Sequence, residues 1–165
     1  METFDSDDTS QTASGDVFVL AVPYAALGDV LDTYGDAMAG KIVVDITNPV
    51  NMETFDSLEV PADSSAAAEV AERLSEAKVL KALNTNFAAT LASGLVGPVT
   101  TTVLIAGDDA DAKATFADIM RSGGLEAVDA GPLRRAREME AVGFLQMTLA
   151  AGEQVPWTGG FAVVR

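Results

Sequence analysis

The sequence of 165 residues contains no cysteine and no histidine. Without these residues the chain can form neither a disulfide nor a zinc site of the Cys/His type. It also offers no cysteine nucleophile and no histidine for acid–base catalysis. Any chemistry therefore has to come from carboxylates, hydroxyls and backbone groups, or from a bound cofactor.

Basic residues are scarce as well. The chain has 25 Asp and Glu against 10 Lys and Arg, which gives a net charge of −15 and argues against nonspecific nucleic-acid binding. The acids are dispersed, and only four residues are lysines. This pattern favours a halophilic protein, because salt screens the repulsion within an acidic surface. An ordinary acidic bacterial enzyme is the alternative, and neither interpretation specifies a function.

Long apolar runs are also missing, since none approaches the roughly 20 residues of a membrane helix. The amino terminus is acidic and lacks the basic start and apolar block of a signal peptide. We therefore expect a cytoplasmic chain with no membrane partner, in which residues 1–15 form a disordered acidic leader. The hydrophobic content of 48% is enough for one domain with a core.

From Asp16 onward, short apolar runs alternate with stretches of helical periodicity. The predicted strands are Asp16–Pro23, Lys41–Thr47, Lys78–Leu83, Thr101–Ala106 and Leu125–Asp129. The predicted helices are Ala25–Met38, Ser64–Leu74, Phe87–Ala92, Asp109–Arg121 and about Leu133–Ala150. This alternation predicts an α/β fold with a doubly wound, Rossmann-type, mostly parallel sheet over residues 16–165, followed by a carboxyl-terminal helix and tail.

Ligands of such sheets bind beyond the carboxyl ends of the strands. The first three predicted strands end in Ala21–Tyr24, Asn48–Asn51 and Asn84–Phe87. The first of these segments is apolar and rigid, and the other two place amides beside apolar residues. That combination suits a nicotinamide or deazaflavin ring, whose amide or carbonyl needs partners while its face needs packing. Each segment alone is equally typical of a turn. Three of them at one edge of the sheet favour a ligand site.

Two other features have open interpretations. Arg134, Arg135 and Arg137 begin the last helix and predict either an anion site or a solvated surface in which Arg134 pairs with Glu138. The only tryptophan, Trp157, lies in a tail rich in turn residues. We expect Trp157 to fill the core rather than to close a pocket.

Several segments, in this order and spacing, carry a family resemblance: DVFVLAVPY, KIVVDITNPVN, SSAAAEVAERL, KALNTNFAATL, VLIAGDDADAKA and VDAGPLRRAREME. From Asp16 to about Arg165 the chain resembles the NADPH-dependent reductases of the 8-hydroxy-5-deazaflavin coenzyme, coenzyme F420. The resemblance implies NADP and this deazaflavin as cofactors. It also implies direct hydride transfer between two rings that the protein holds face to face, with no catalytic side chain and no metal.

By the same resemblance, the pocket for the two rings is formed by the segments that follow the first three strands. The cofactor-binding residues it implies are Val22, Pro23, Asn48, Pro49, Val50, Asn84, Thr85, Asn86 and Ala88.

The chain departs from the family in one large respect. Members of the family begin with a strand, a glycine-rich turn and a helix, followed by residues that bind the 2′-phosphate, whereas this sequence contains no G-x-G-x-x-G. We therefore expect an N-terminally truncated domain without its pyrophosphate site, and impaired activity of the chain alone. The missing strand would lie beside Asp16–Pro23, so we expect an exposed edge that self-associates or binds a partner.

Two alternatives differ from this hypothesis. A pyrroline-carboxylate or ketopantoate reductase would carry a helical domain of roughly a hundred residues after the sheet, a typical domain size. The sequence has nothing that could supply such a domain. The second alternative is a non-catalytic remnant, or the partner-binding half of a split Rossmann protein.

Overall fold

The computed structural model describes residues 14–164. Its strands are β1 (Val17–Leu20), β2 (Ile42–Asp45), β3 (Lys78–Ala82), β4 (Leu95–Val96), β5 (Val99–Thr100), β6 (Thr102–Gly107) and β7 (Glu126–Gly131). Its α-helices are α1 (Leu27–Tyr34), α2 (Ala66–Arg73), α3 (Ala88–Ser93), α4 (Ala110–Ser122) and α5 (Ala136–Ala151). The prediction of a disordered leader falls largely on residues 1–13, which lie outside the described part of the chain.

Five strands form one sheet in the order β1-β2-β3-β6-β7. The pairs β1–β2, β2–β3 and β6–β7 are parallel, and β3–β6 is antiparallel. The predicted α/β fold with a mostly parallel, Rossmann-type sheet is therefore confirmed. One consequence was not predicted: β6 and β7 run opposite to the first three strands, so their carboxyl ends lie at the other edge of the sheet.

The reversal follows from the connection between β3 and β6. A parallel crossover has to carry the chain back along the whole strand length, usually through an α-helix. Here the connection consists mainly of α3, which has only 6 residues, and of the antiparallel hairpin β4–β5. Neither element returns the chain to the edge where β3 begins. The turn residues of this hairpin are recognisable in the sequence, but its two short strands were not predicted.

Alternate residues of the central strands are buried on opposite faces of the sheet. Val43 and Val79 belong to a core cluster that includes residues of α1, α2 and the start of α5. Val44 and Leu80 belong to a second cluster that contains Phe116 of α4. Burial on both faces explains why these strands are nearly continuous apolar runs in the sequence. A charged residue within such a strand is therefore buried and needs a partner of opposite charge.

The first strand, β1, is an edge strand of this sheet. Among residues 14–164, β1 pairs with β2 and with no other strand. Val19, in the middle of β1, is 41% exposed. The described residues include no helix that is both long and apolar enough to cross a membrane.

Candidate functional site

The carboxyl ends of β1, β2 and β3 are aligned. Leu20 is in register with Asp45, and Asp45 is in register with Lys81. The segments that leave these strands therefore begin side by side, and we call residues 21–24, 46–51 and 83–88 together the rim. All nine residues predicted to bind cofactors lie on the rim. Helix α5 packs against the rim between Met139 and Met147.

Two predicted residues, Asn48 and Asn84, bind each other directly. Asn48 Nδ2 donates to the Asn84 carbonyl at 2.9 Å, and Asn84 Nδ2 donates to Asn48 Oδ1 at 3.0 Å. Asn84 Nδ2 also donates to the Met139 carbonyl on α5 at 3.0 Å. The amide nitrogens thus join two loops to one helix. Their N–H groups are used within the protein, and only oxygen atoms remain for a ligand.

Three buried oxygen atoms of the rim lack a hydrogen-bond partner among residues 14–164: Thr47 Oγ1, Asn84 Oδ1 and Asn86 Oδ1. The amide nitrogen of Asn86 donates to the Thr102 carbonyl at 3.1 Å, so its side chain is held at one end only. A buried acceptor without a partner costs about 1–3 kcal/mol. Three such atoms at neighbouring strand ends reduce the stability of the fold, which indicates that the rim has a role other than folding.

The third rim segment begins with a strained turn. Leu83 has a φ of 63°, and the Asn84 N–H donates to the Ala82 carbonyl at 2.7 Å. This is a γ-turn of the rare form, which a non-glycine residue adopts only when its surroundings hold it there. The turn directs the chain from β3 straight into Asn84, which is buried.

The apolar residues of the prediction differ in exposure. Pro49 and Val50 are buried, and Val22 is half-buried against the core. Pro23 and Ala88 are exposed. The exposed apolar surface of the rim therefore lies at the first and third segments, whereas Pro49 and Val50 shape the second segment from inside.

Tyr24 fixes the end of the first rim segment. Its hydroxyl donates to Glu69 Oε2 on α2 at 2.7 Å. Burial raises the pKa of the Tyr24 phenol, and the hydrogen bond to the Glu69 carboxylate raises it further. The phenol therefore stays protonated at neutral pH and acts as a hydrogen-bond donor to α2.

Helix α5 approaches the rim through a glycine. A Cβ atom on Gly143 would lie 2.5 Å from Asn48 Oδ1 and 2.8 Å from the Asn84 carbonyl oxygen. Any other residue here would separate α5 from the Asn48–Asn84 pair. This contact was not predicted from the sequence, although a lone glycine inside an otherwise regular helix usually has a packing reason.

The tail after α5 returns to the rim. Buried Gln146 accepts a hydrogen bond from Phe161 N at 2.8 Å and donates through Nε2 to the Thr85 carbonyl at 3.3 Å. The rings of Phe87 and Trp157 meet with their centroids 4.9 Å apart. Trp157 is 50% exposed. The expectation that Trp157 fills the core is therefore wrong, because it lies on Phe87 beside the rim.

Beneath the rim, three charged side chains are completely buried. Lys81 Nζ lies 2.8 Å from Asp45 Oδ2 and 2.8 Å from Glu140 Oε1, and all three side chains have an exposure of 0%. The Glu140 carboxylate also accepts the backbone N–H groups of Ala66 and Ala67 at the start of α2. We call Asp45, Lys81 and Glu140 the buried ion cluster. None of its members was among the residues predicted from the sequence to bind cofactors.

The buried ion cluster has two carboxylates for one ammonium. Burial raises the pKa of Glu140, and Lys81 opposes this effect. Because Glu140 also accepts two N–H groups at a helix start, its charge is balanced by Lys81 and by the positive end of α2. The cluster therefore depends on the lysine for its electrostatic balance.

The arginine cluster follows β7, whose carboxyl end is at the opposite edge of the sheet from the rim. Arg137 nevertheless lines a cavity together with Leu58 and Glu140. Glu138 is paired with Arg135, at 2.7 Å, rather than with Arg134 as the spacing suggested. The anion site at these arginines stays a prediction.

The rim lies at the carboxyl ends of three parallel strands of a Rossmann-type sheet, which is where ligands bind in open α/β proteins. No family model matches the chain. It is 33% identical over 132 residues to an F420-dependent NADP reductase of Methanocaldococcus jannaschii, covering 78% of this chain and 59% of that protein. It is 32% identical over 133 residues to the enzyme of the same name from Methanothermobacter marburgensis, covering 77% of this chain and 59% of that protein.

A solved structure of a candidate F420-dependent NADP reductase from Arthrobacter sp. FB24 has the same fold. Its TM-score is 0.84 at 26% identity, and the match covers 95% of this chain and 72% of that one. The resemblance seen in the sequence is thus confirmed: the chain is a homologue of the F420-dependent NADP reductases. It spans 59% of the length of the two methanogen relatives.

Proposed function

We propose that this chain functions in hydride transfer between NADPH and the deazaflavin coenzyme F420, with the rim as the place where the two rings meet. The observation that carries the proposal is the convergence of the three rim segments, with their unpaired oxygen atoms, in a homologue of F420-dependent NADP reductases. An acceptor such as Asn84 Oδ1 or Asn86 Oδ1 suits the N–H groups of a carboxamide or a ring amide.

When bound, the two coenzymes would supply the chemistry of the reaction, which is hydride transfer from NADPH to the deazaflavin with uptake of one proton. The protein's part is to bind and orient. Pro23 and Ala88 offer apolar surface to a ring, while Asn48 and Asn84 hold the second and third segments at a fixed separation. Orientation of this kind is worth many orders of magnitude in rate.

We propose further that these 165 residues bind the nicotinamide end of NADPH without a strong hold on its pyrophosphate, because the sequence has no G-x-G-x-x-G. We therefore expect F420 to bind more tightly than NADPH, and hydride transfer to be slow. Trp157 is the only tryptophan and lies on Phe87 next to Ala88, so its fluorescence reports binding at the rim.

The experiment is a titration of the chain with F420 and, separately, with NADPH, followed by Trp157 fluorescence. The Trp157→Phe variant serves as the control for signals that do not arise at the rim. Tight NADPH binding would contradict the weak hold on the pyrophosphate. Failure of both coenzymes to bind would contradict the proposed function itself.

The non-catalytic alternative, a partner-binding half, is favoured by one observation, the position of β1 at the end of the sheet. We propose that β1 adds a strand from a second copy or from a partner chain. Val19→Lys should weaken this association, because a charge on an edge strand opposes strand addition. Val142→Lys is the matched control, since Val142 is exposed to a similar degree on α5.

The measurement is size-exclusion chromatography of the wild type and both variants over a range of concentrations. We expect the wild type and Val142→Lys to elute as associated species and Val19→Lys to shift toward the monomer. A wild-type chain that stays monomeric at high concentration would contradict association through β1.

A further inference from the structure

The buried ion cluster lies directly below the second rim segment, and the proposed hydride transfer makes no use of its charges. Its geometry is complete. The three N–H groups of the Lys81 ammonium have three acceptors, namely Asp45 Oδ2 at 2.8 Å, Glu140 Oε1 at 2.8 Å and the Thr47 carbonyl oxygen at 2.5 Å. The ammonium therefore has no donor left over, and its position is fixed from three sides.

The Thr47 carbonyl connects the buried ion cluster to the rim. It belongs to the peptide bond between Thr47 and Asn48, which immediately precedes the paired amide of Asn48. The Thr47 N–H donates to Asp45 Oδ1 at 2.9 Å, so both backbone polar groups of Thr47 are bound by the cluster. Lys81 also lies three residues before Asn84. The Lys81 ammonium thus fixes the peptide bond that precedes Asn48. Lys81 itself belongs to β3, the strand that runs into Asn84.

A buried ion group is a poor source of stability, because apolar residues of similar volume usually stabilise a core equally well or better. Its geometric effect is different, since each hydrogen bond prescribes a direction. An apolar cluster in this place would leave the Thr47 carbonyl buried without a partner and the following peptide free to rotate.

We propose that Lys81 is a positioning residue of the rim, which fixes the Thr47–Asn48 peptide and through it the orientation of the Asn48 amide toward the bound coenzymes. This inference rests on the proposed function for its effect on the coenzymes, but not for the link between Lys81 and Asn48. Glu140 and Asp45 hold the ammonium in place, and Glu140 also anchors the start of α2.

The test compares Glu140→Gln with the double variant Lys81→Met/Glu140→Gln. The single variant changes the cluster but keeps the contact of Lys81 with Thr47, whereas the double variant removes that contact together with one charge of each sign. We expect the Asn48 side-chain amide to exchange its protons slowly in the wild type and in Glu140→Gln, and rapidly in the double variant, as measured by NMR without coenzyme.

Affinity for F420 provides the second measurement. We expect it to fall by at least about tenfold in the double variant, the effect of losing one well-placed hydrogen bond, and to fall less in Glu140→Gln, which keeps the contact of Lys81 with Thr47. A double variant that keeps both the slow Asn48 exchange and the F420 affinity, and loses only thermal stability, would overturn the positioning role. A wild type that fails to bind F420 would refute the proposed function, while the exchange measurement still decides the link from Lys81 to Asn48.

If the double variant does not fold, an NMR measurement on the wild type tests the contact between Lys81 and Thr47. The Lys81 ammonium should then show a scalar coupling across its hydrogen bond to the Thr47 carbonyl carbon, because the contact is direct. A rapidly rotating ammonium without that coupling would overturn the inference.

Discussion

Replacing Gly143 by alanine is expected to destabilise the protein by about 1–3 kcal/mol, the usual cost of an overpacked contact, and to abolish the proposed binding of F420. The added Cβ atom would lie 2.5 Å from Asn48 Oδ1 and 2.8 Å from the Asn84 carbonyl oxygen. These atoms belong to a hydrogen-bonded pair and cannot give way singly. Helix α5 has to move away from the rim, or the Asn48–Asn84 pair has to separate.

Gly28→Ala is the matched control for Gly143→Ala. Gly28 lies in α1, and a Cβ atom there would meet Arg73 Nη1 at 3.5 Å, which is an ordinary contact. Because alanine is intrinsically better in a helix than glycine by up to about 1 kcal/mol, Gly28→Ala should stabilise the protein or leave it unchanged. Urea unfolding of both variants measures the difference. An equally stable Gly143→Ala variant with normal F420 binding would show that α5 does not need this close approach.

Replacing Lys81 by methionine is expected to have a larger effect on stability, about 3–5 kcal/mol at neutral pH. Methionine has nearly the same shape but no charge, so Asp45 and Glu140 would remain as two buried carboxylates without a cation. The Thr47 carbonyl would also lose its partner. The control is Lys78→Met on the same strand, where the lysine is 44% exposed and forms only a surface ion pair with Asp109. Its effect should be far smaller.

The pH dependence of the Lys81→Met variant gives a sharper test. In the wild type, burial already raises the pKa of Glu140 and Lys81 opposes that rise, so removal of Lys81 should raise the pKa further. A carboxyl whose pKa is raised by folding binds a proton more readily in the folded state. The variant should therefore be least destabilised below about pH 4, the ordinary carboxyl range, and lose stability as the pH rises through the raised pKa.

The measurement is urea unfolding of wild type and Lys81→Met at several pH values from acid to neutral. The difference in free energy of unfolding between them should grow with rising pH. A difference that is constant over this range would mean that Asp45 and Glu140 are not left as uncompensated buried charges.

The positions of the strands could be predicted from the sequence because the signal is local. Runs such as KIVVDIT are apolar and β-branched, and β2 and β3 lie within them to within one or two residues. The rim could also be predicted, since the ends of β1, β2 and β3 meet at one edge as soon as these strands are parallel. Whether the nine residues predicted to bind cofactors contact the coenzymes stays a prediction, as do the halophilic character and the disordered leader.

The buried ion cluster could have been suspected from the same runs. Asp45 and Lys81 interrupt strands that are otherwise apolar, and a charged residue within a buried strand has to be paired. The partner Glu140 could not be identified this way. It comes from α5, 59 residues beyond Lys81 in a regular helix whose sequence gives no indication of which side faces the sheet.

The sequence by itself determined the class of fold, the order of its elements and the family resemblance, because these depend on hydrophobic periodicity and on residue order along the chain. Only the tertiary structure decided the reversal of β6 and β7, the contact of Gly143 with Asn48 and Asn84, and the place of Trp157 on Phe87. Each of these depends on where distant segments pack, and packing is a property of the assembled core that no local pattern encodes.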